Sequence, residues 1–215
     1  MAENAETNST TGITRREFLY YVWGASMALF TAQFTGLFVW FALPKFREGE
    51  FGGPFPVLRD RLPGVNDPPV DVPDGRFWLV NVDTNNTQGQ ERMYRVADDP
   101  ERIVGVAALY KVCTHLGCIY KWTPTASRFE CPCHGSKYRL DGRRIESPAP
   151  RSIDRFHITA LDADGNELAQ SEAGRDDEWL ELVIPDNAVA LRVNTGNKRD
   201  GTVRGLLCEL FDNCP

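Results

Sequence analysis

Residues 18–43, FLYYVWGASMALFTAQFTGLFVWFAL, contain no Asp, Glu, Lys, Arg or His. No other feature of the chain restricts its folding as strongly. As a helix these residues reach roughly 39 Å at ~1.5 Å per residue, enough to cross a ~30 Å hydrocarbon core with some tilt. Tyr20, Tyr21 and Trp23 near one end and Trp40 near the other suit the two membrane interfaces. Thr31, Gln33 and Thr35 lie mid-span, where mildly polar side chains can hydrogen-bond to a neighbouring helix.

Arg15 and Arg16 directly precede the run. Positive charge at that end predicts a cytoplasmic N-terminus. The stretch TRREFL resembles a twin-arginine export signal, a route taken by already folded proteins across a bacterial membrane. No A-x-A cleavage pattern follows, so residues 14–43 are expected to stay as a signal-anchor. Residues 1–13 are small and polar and read as disordered. The rest of the chain is then expected on the outer, periplasmic and oxidising face of a bacterial inner membrane.

Residues 44–75 are rich in Pro and Gly, a composition that excludes a regular helix or a central strand. A flexible hinge is expected near 47–53, with a stiffer connector beyond it. From residue 76 the pattern is short and β-like. FWLVNV (77–82), RMYRVA (92–97), RIVGVAALYKV (102–112), RFHITAL (155–161), WLELVIP (179–185) and AVALRVN (188–194) read as strands. DADGN after residue 161 carries a hairpin-turn signal. A mainly β protein is expected: one transmembrane helix, then a small antiparallel head over 76–198. The acidic stretch DADGNELAQSEAGRDDE, residues 162–178, is expected to be solvent-exposed. Val203, Leu206, Leu207, Leu210 and Phe211 stand at helical spacing in a C-terminal extension, 199–215. The net charge of −6 argues against nucleic acid, whose phosphates need a basic footprint.

Chemistry is crowded into CTHLGC (113–118) and CPCHGS (131–136), which hold four of the six cysteines and two of the three histidines. Cys113 with His115 and Cys131 with His134 offer two thiolates and two imidazoles from two glycine-containing loops. One tetrahedral zinc suits that set, and so does a 2Fe–2S cluster with two histidines in place of two cysteines on one iron. Cys118 and Cys133 stand one per loop. In an oxidising compartment they would join and clamp the loops together, a device a zinc finger does not need. His157 lies on an alternating strand away from any cysteine and reads as a packing or surface residue.

C-T-H-L-G-C with C-P-C-H-G-S-x-Y resembles the Rieske iron–sulfur protein of cytochrome bc-type and bf-type complexes. The resemblance covers roughly 14–160 and returns more weakly at 188–197. It implies a head whose cluster-binding part, about 107–152, is built on the two loops. It implies a 2Fe–2S cluster with Cys113 and Cys131 on the inner iron and His115 and His134 on the outer one. Cys118–Cys133 would be the bridging disulfide. Ser136 and Tyr138 would donate hydrogen bonds to cluster or cysteine sulfur, which stabilises the reduced form and raises the potential. Residues 147–150, SPAP, match the family's proline loop, with Ser147 where the family has Gly.

The resemblance further implies that His134 binds a membrane quinol beside a cytochrome b subunit. Electron and proton leave the quinol together, and the head swings to a c-type cytochrome within a dimeric complex. Leu116, exposed at the loop tip, would dock into a partner. Cys208 and Cys214 lie outside the resemblance and read as a second disulfide. The competing expectations are the small subunit of a periplasmic molybdenum oxidase such as arsenite oxidase, an oxygenase-type Rieske protein, and a zinc-bound adaptor. The oxygenase class lacks the Cys118 and Cys133 pair. The membrane span and hinge favour the quinol complex.

Overall fold

The computed structural model describes residues 12–43, 51–86, 101–210 and 214. The chain divides into an N-terminal helical unit and a β unit. Residues 1–11, most of the expected hinge and the RMYRVA stretch lie outside the described residues.

Helix α1, Arg15–Ala42, starts at an N-cap Thr14 that forms a capping box with Glu17. That pair satisfies two backbone donors at the helix start. None of its side chains is buried, and its length and composition allow it to cross a membrane. Thr31 places its hydroxyl proton within the helix. The hydroxyl donates to Met27 O at 2.7 Å, as Ser26 does to Val22 O at 2.8 Å. Back-bonding of this kind hides a hydroxyl inside its own helix.

The β unit contains β1 (Pro54–Leu58), β2 (Val70–Val72), β3 (Phe77–Asp83), β4 (Val104–Tyr110), β5 (Lys121–Thr123), β6 (Arg128–Glu130), β7 (Lys137–Tyr138), β8 (Arg144–Glu146), β9 (Arg155–Leu161), β10 (Glu167–Gln170) and β11 (Ala190–Arg199), with a short α2 (Leu207–Leu210). One sheet runs β1-β11-β9-β4-β3-β2, with β10 also on β9; the other runs β5-β6-β7-β8. All pairs are antiparallel.

Strands β3 and β4 form the wall between two cores. Trp78, Val80, Val82, Ala107 and Leu109 face a core that also holds Cys113, Cys131, Tyr120, Phe129 and Tyr138. Their neighbours Phe77, Leu79, Val106 and Ala108 face the second core with Phe156, Ile158, Leu191 and Val193. Burial on both faces explains why FWLVNV reads as a nearly unbroken apolar run rather than an alternating one.

Pro-rich residues 54–58 form a strand at the edge of the sheet, where a missing N–H costs no ladder bond; the exclusion of a helix and of a central strand leaves that place open. Two expectations differ from the structure. Residues 179–185 do not form a strand. They cross β4 through one bridge, with Val106 N–H donating to Leu182 O at 2.9 Å and Leu182 N–H to Val106 O at 2.8 Å. Gly105 makes that crossing possible. It has φ +131, and a Cβ there would lie 2.7 Å from the Leu182 carbonyl. The acidic stretch 162–178 is not exposed throughout either: Glu178 is buried.

Candidate metal centre

The two cysteine loops share one backbone design. Cys113 N–H donates to Cys118 O at 2.7 Å, and Gly117 N–H donates to Cys113 O at 3.0 Å. Cys131 N–H donates to Ser136 O at 2.9 Å, and Gly135 N–H donates to Cys131 O at 3.0 Å. Each loop therefore opens on a cysteine whose two backbone groups close a ring four and five residues later. Gly117 and Gly135 sit at that closure with φ +82 each, a conformation that costs L side chains energy. The first loop leads from β4 into β5, and the second links β6 to β7.

Cys118 and Cys133 form a disulfide between the loops. The sulfurs of Cys118, Cys131 and Cys133 lie within 4.8 Å of one another, but the bond leaves only Cys131 of the three as a free ligand. Cys113 and Cys131 are both free and buried. Burial pushes the Cys131 thiol up, with the neighbouring Cys113 adding to the shift. A metal must displace the thiol protons to bind.

The His115 and His134 rings meet edge to face, 4.8 Å between centroids. His134 is exposed, whereas His115 is half-buried. Nδ1 of His115 is buried without a hydrogen-bond partner, the one imidazole atom so left among the described residues. A buried nitrogen lone pair is costly unless something fills its need. Two facing thiols, two adjacent imidazoles and this orphaned nitrogen fit a cluster with mixed sulfur and nitrogen ligands.

Hydroxyls line the inner side. Tyr138 Oη lies 3.2 Å from Cys113 Sγ and 3.2 Å from Thr114 Oγ1. The Thr114 proton is committed to Arg151 O at 2.7 Å, so the one Tyr138 proton faces two acceptors, Thr114 Oγ1 and Cys113 Sγ. Burial, with Cys113 alongside, pushes the Tyr138 phenol up, which keeps it protonated as a donor. Ser136, fully buried, accepts from Ala149 N–H at 3.2 Å through Oγ and keeps its own proton to give. The SPAP loop that carries Ala149 has a cis Ser147–Pro148 bond. Beneath the site, Tyr120 stacks edge-on to Phe129 at 5.2 Å and donates from Oη to Tyr110 O at 2.8 Å. His157 stands in none of this; its ring packs on Trp179 at 4.7 Å.

A β head that offers two buried thiols and two adjacent imidazoles from disulfide-joined loops defines an iron–sulfur domain with histidine ligation. The chain belongs to the Rieske iron–sulfur protein family. Residues 78–157 match the family described as Rieske [2Fe-2S] domain. The cytochrome b6-f complex iron-sulfur subunit of Gloeobacter violaceus is 31% identical over 156 residues, which is 70% of this chain and 80% of that protein. The corresponding subunit of Synechococcus elongatus is 41% identical over 69 residues, 32% of this chain and 38% of that protein's length. The crystal structure of the cyanobacterial plasma membrane Rieske protein PetC3 from Synechocystis PCC 6803 overlaps 54% of this chain and 84% of that one, at 22% identity and a TM-score of 0.28. As a family member the chain is a redox protein whose cofactor is a Rieske-type 2Fe–2S cluster.

Proposed function

We propose that the chain is the electron-transfer subunit of a bc- or bf-type complex that oxidises membrane quinol and feeds a c-type cytochrome. Its Gloeobacter relative carries the name of such a subunit. The observation that carries the reading is the asymmetry of the four ligand residues: Cys113 and Cys131 are buried, His115 is half-buried, and His134 is exposed. Cys113 and Cys131 would hold the inner iron, and His115 and His134 the outer one. When bound, the cluster takes and returns one electron at a time.

His134 then presents its outer ring edge to solvent, where a quinol hydroxyl can donate a hydrogen bond. The imidazole takes the quinol's proton and later releases it to the outer aqueous phase. Leu116, 70% exposed on the first loop, gives the same tip an apolar contact suited to a pocket in a cytochrome b subunit. The Cys118–Cys133 bridge keeps the loops closed, so water reaches the histidine edge but not the thiols. Arg15 and Arg16 before α1 favour a cytoplasmic N-terminus, a head on the periplasmic face and export as a folded unit.

Purification from native membranes tests the assignment. The chain should copurify with a b-type cytochrome, and His134→Cys should abolish quinol oxidation. Copurification with a molybdopterin subunit instead, or turnover retained in the His134→Cys variant, would overturn it.

A further inference from the structure

The chain after β11 turns back along the proline loop. Ser152 N–H donates to Thr202 O at 2.9 Å, and Gly201 N–H donates to Asp154 Oδ1 at 3.0 Å. Beyond Arg204 the backbone enters α2, where Leu207 and Cys208 are buried against Ile145 of β8. Cys208 is bonded to Cys214, which closes the extension on itself. The extension is therefore docked on the hairpin that follows the second cysteine loop.

Arg144, beside Ile145, connects this docked segment to the site. Its Nη1 donates to Ala149 O at 2.9 Å and its Nη2 donates to Arg204 O at 2.6 Å. The rigid guanidinium fork fixes those two carbonyls relative to each other. Ala149 is buried, and its own N–H donates to Ser136 Oγ at 3.2 Å. Both backbone groups of Ala149 are thus committed, one to Arg144 and one to Ser136. With an acceptor site on Oγ filled from that direction, the Ser136 proton is left to point away from the proline loop.

We propose that Arg144 is a positioning residue: it ties the C-terminal extension to Ala149 and so fixes the direction in which the Ser136 hydroxyl donates. The inference rests on the reading of Ser136 as a donor to cluster sulfur. Donors aimed at the sulfurs stabilise the more negative, reduced cluster and raise its potential. The extension thereby helps set the potential of the cluster.

The test is a redox titration of the full chain for wild type, R144M, S136A and the double variant. R144M should lower the midpoint potential, by less than S136A does, and the double variant should match S136A alone. R144K, which keeps the charge but loses the planar fork, should fall between R144M and wild type. An intact cluster at wild-type potential in R144M, or shifts that add in full, would overturn the inference while leaving the ligand assignment untouched. An unshifted S136A would instead remove the reading of Ser136 on which it rests. If R144M loses the cluster, the C208S/C214S variant takes its place. It should show a lowered potential and faster amide exchange at Ala149, and wild-type values of both would overturn the inference.

Discussion

Loops 113–118 and 131–136 share one hydrogen-bond frame and differ in what hangs from it. Position six is Cys118 in the first and Ser136 in the second; the histidine stands third in the first and fourth in the second. The first loop contributes a half-buried ring and an exposed leucine, the second an exposed ring and a buried hydroxyl. The frame comes from cysteine and glycine spacing, which sets the backbone. The division of labour comes from single side chains placed on that backbone. Support beneath the loops differs as well. The hairpin after the second loop holds a fully buried Arg139–Asp141 pair at 2.6 Å, whereas the strand after the first begins on the exposed Lys121.

The disulfide joins the unlike positions, so cutting it should cost most. Cys118→Ser opens a closure of sequence separation 15, for which chain entropy suggests about 3 kcal/mol. Loss of the cluster at a markedly lower temperature should follow, read as bleaching of the visible absorbance. An unchanged melting curve with a fully active cluster would show that the loops hold themselves together.

Acid should act on one loop before the other. Burial alone would raise the Asp141 carboxyl, but the adjoining Arg139, with Arg143 and Arg155, holds it down to about 2. An ordinary unfolded carboxyl titrates near ~3.9. The folded pKa is the lower one, so the stabilisation is fully present above ~4 and fades as pH falls through about 2. The difference corresponds to on the order of 2 kcal/mol. Amide exchange should accelerate between pH 4 and pH 2 first in residues 137–146, and Asp141→Asn should remove that pH dependence. Simultaneous loosening of both loops in the wild type would erase the contrast.

The smallest effect should also be the most even. A Cβ at Gly135 meets nothing within 4 Å, and one at Gly117 meets only Val112 Cγ1 at 4.0 Å. Gly117→Ala and Gly135→Ala should therefore each cost only the left-handed backbone penalty, about 1–2 kcal/mol. Denaturant unfolding of the pair should give matching losses; a large inequality would mean that the frames are not equivalent.

Much of the site could be read in the sequence because soft ligands in short, glycine-closed loops have few other uses. The anchor was equally legible, since a long uncharged run has few places to go. The Arg144 link to the C-terminal extension was not, because it depends on two backbone carbonyls, Ala149 O and Arg204 O, that leave no mark in residue identity. Glu178 looked like an exposed acid for a related reason. Its partner Arg204 lies 26 residues away, and no local pattern joins them. Residues 179–185 had strand composition, yet tertiary contact with Gly105 and Val106 allowed only a single crossing bridge.

Metal analysis of the gently purified full chain tests the central claim most directly. The account predicts iron and acid-labile sulfide in equal amounts, about two of each per chain, lost in Cys131→Ser. Stoichiometric zinc in their place, or no bound iron at all, would contradict it.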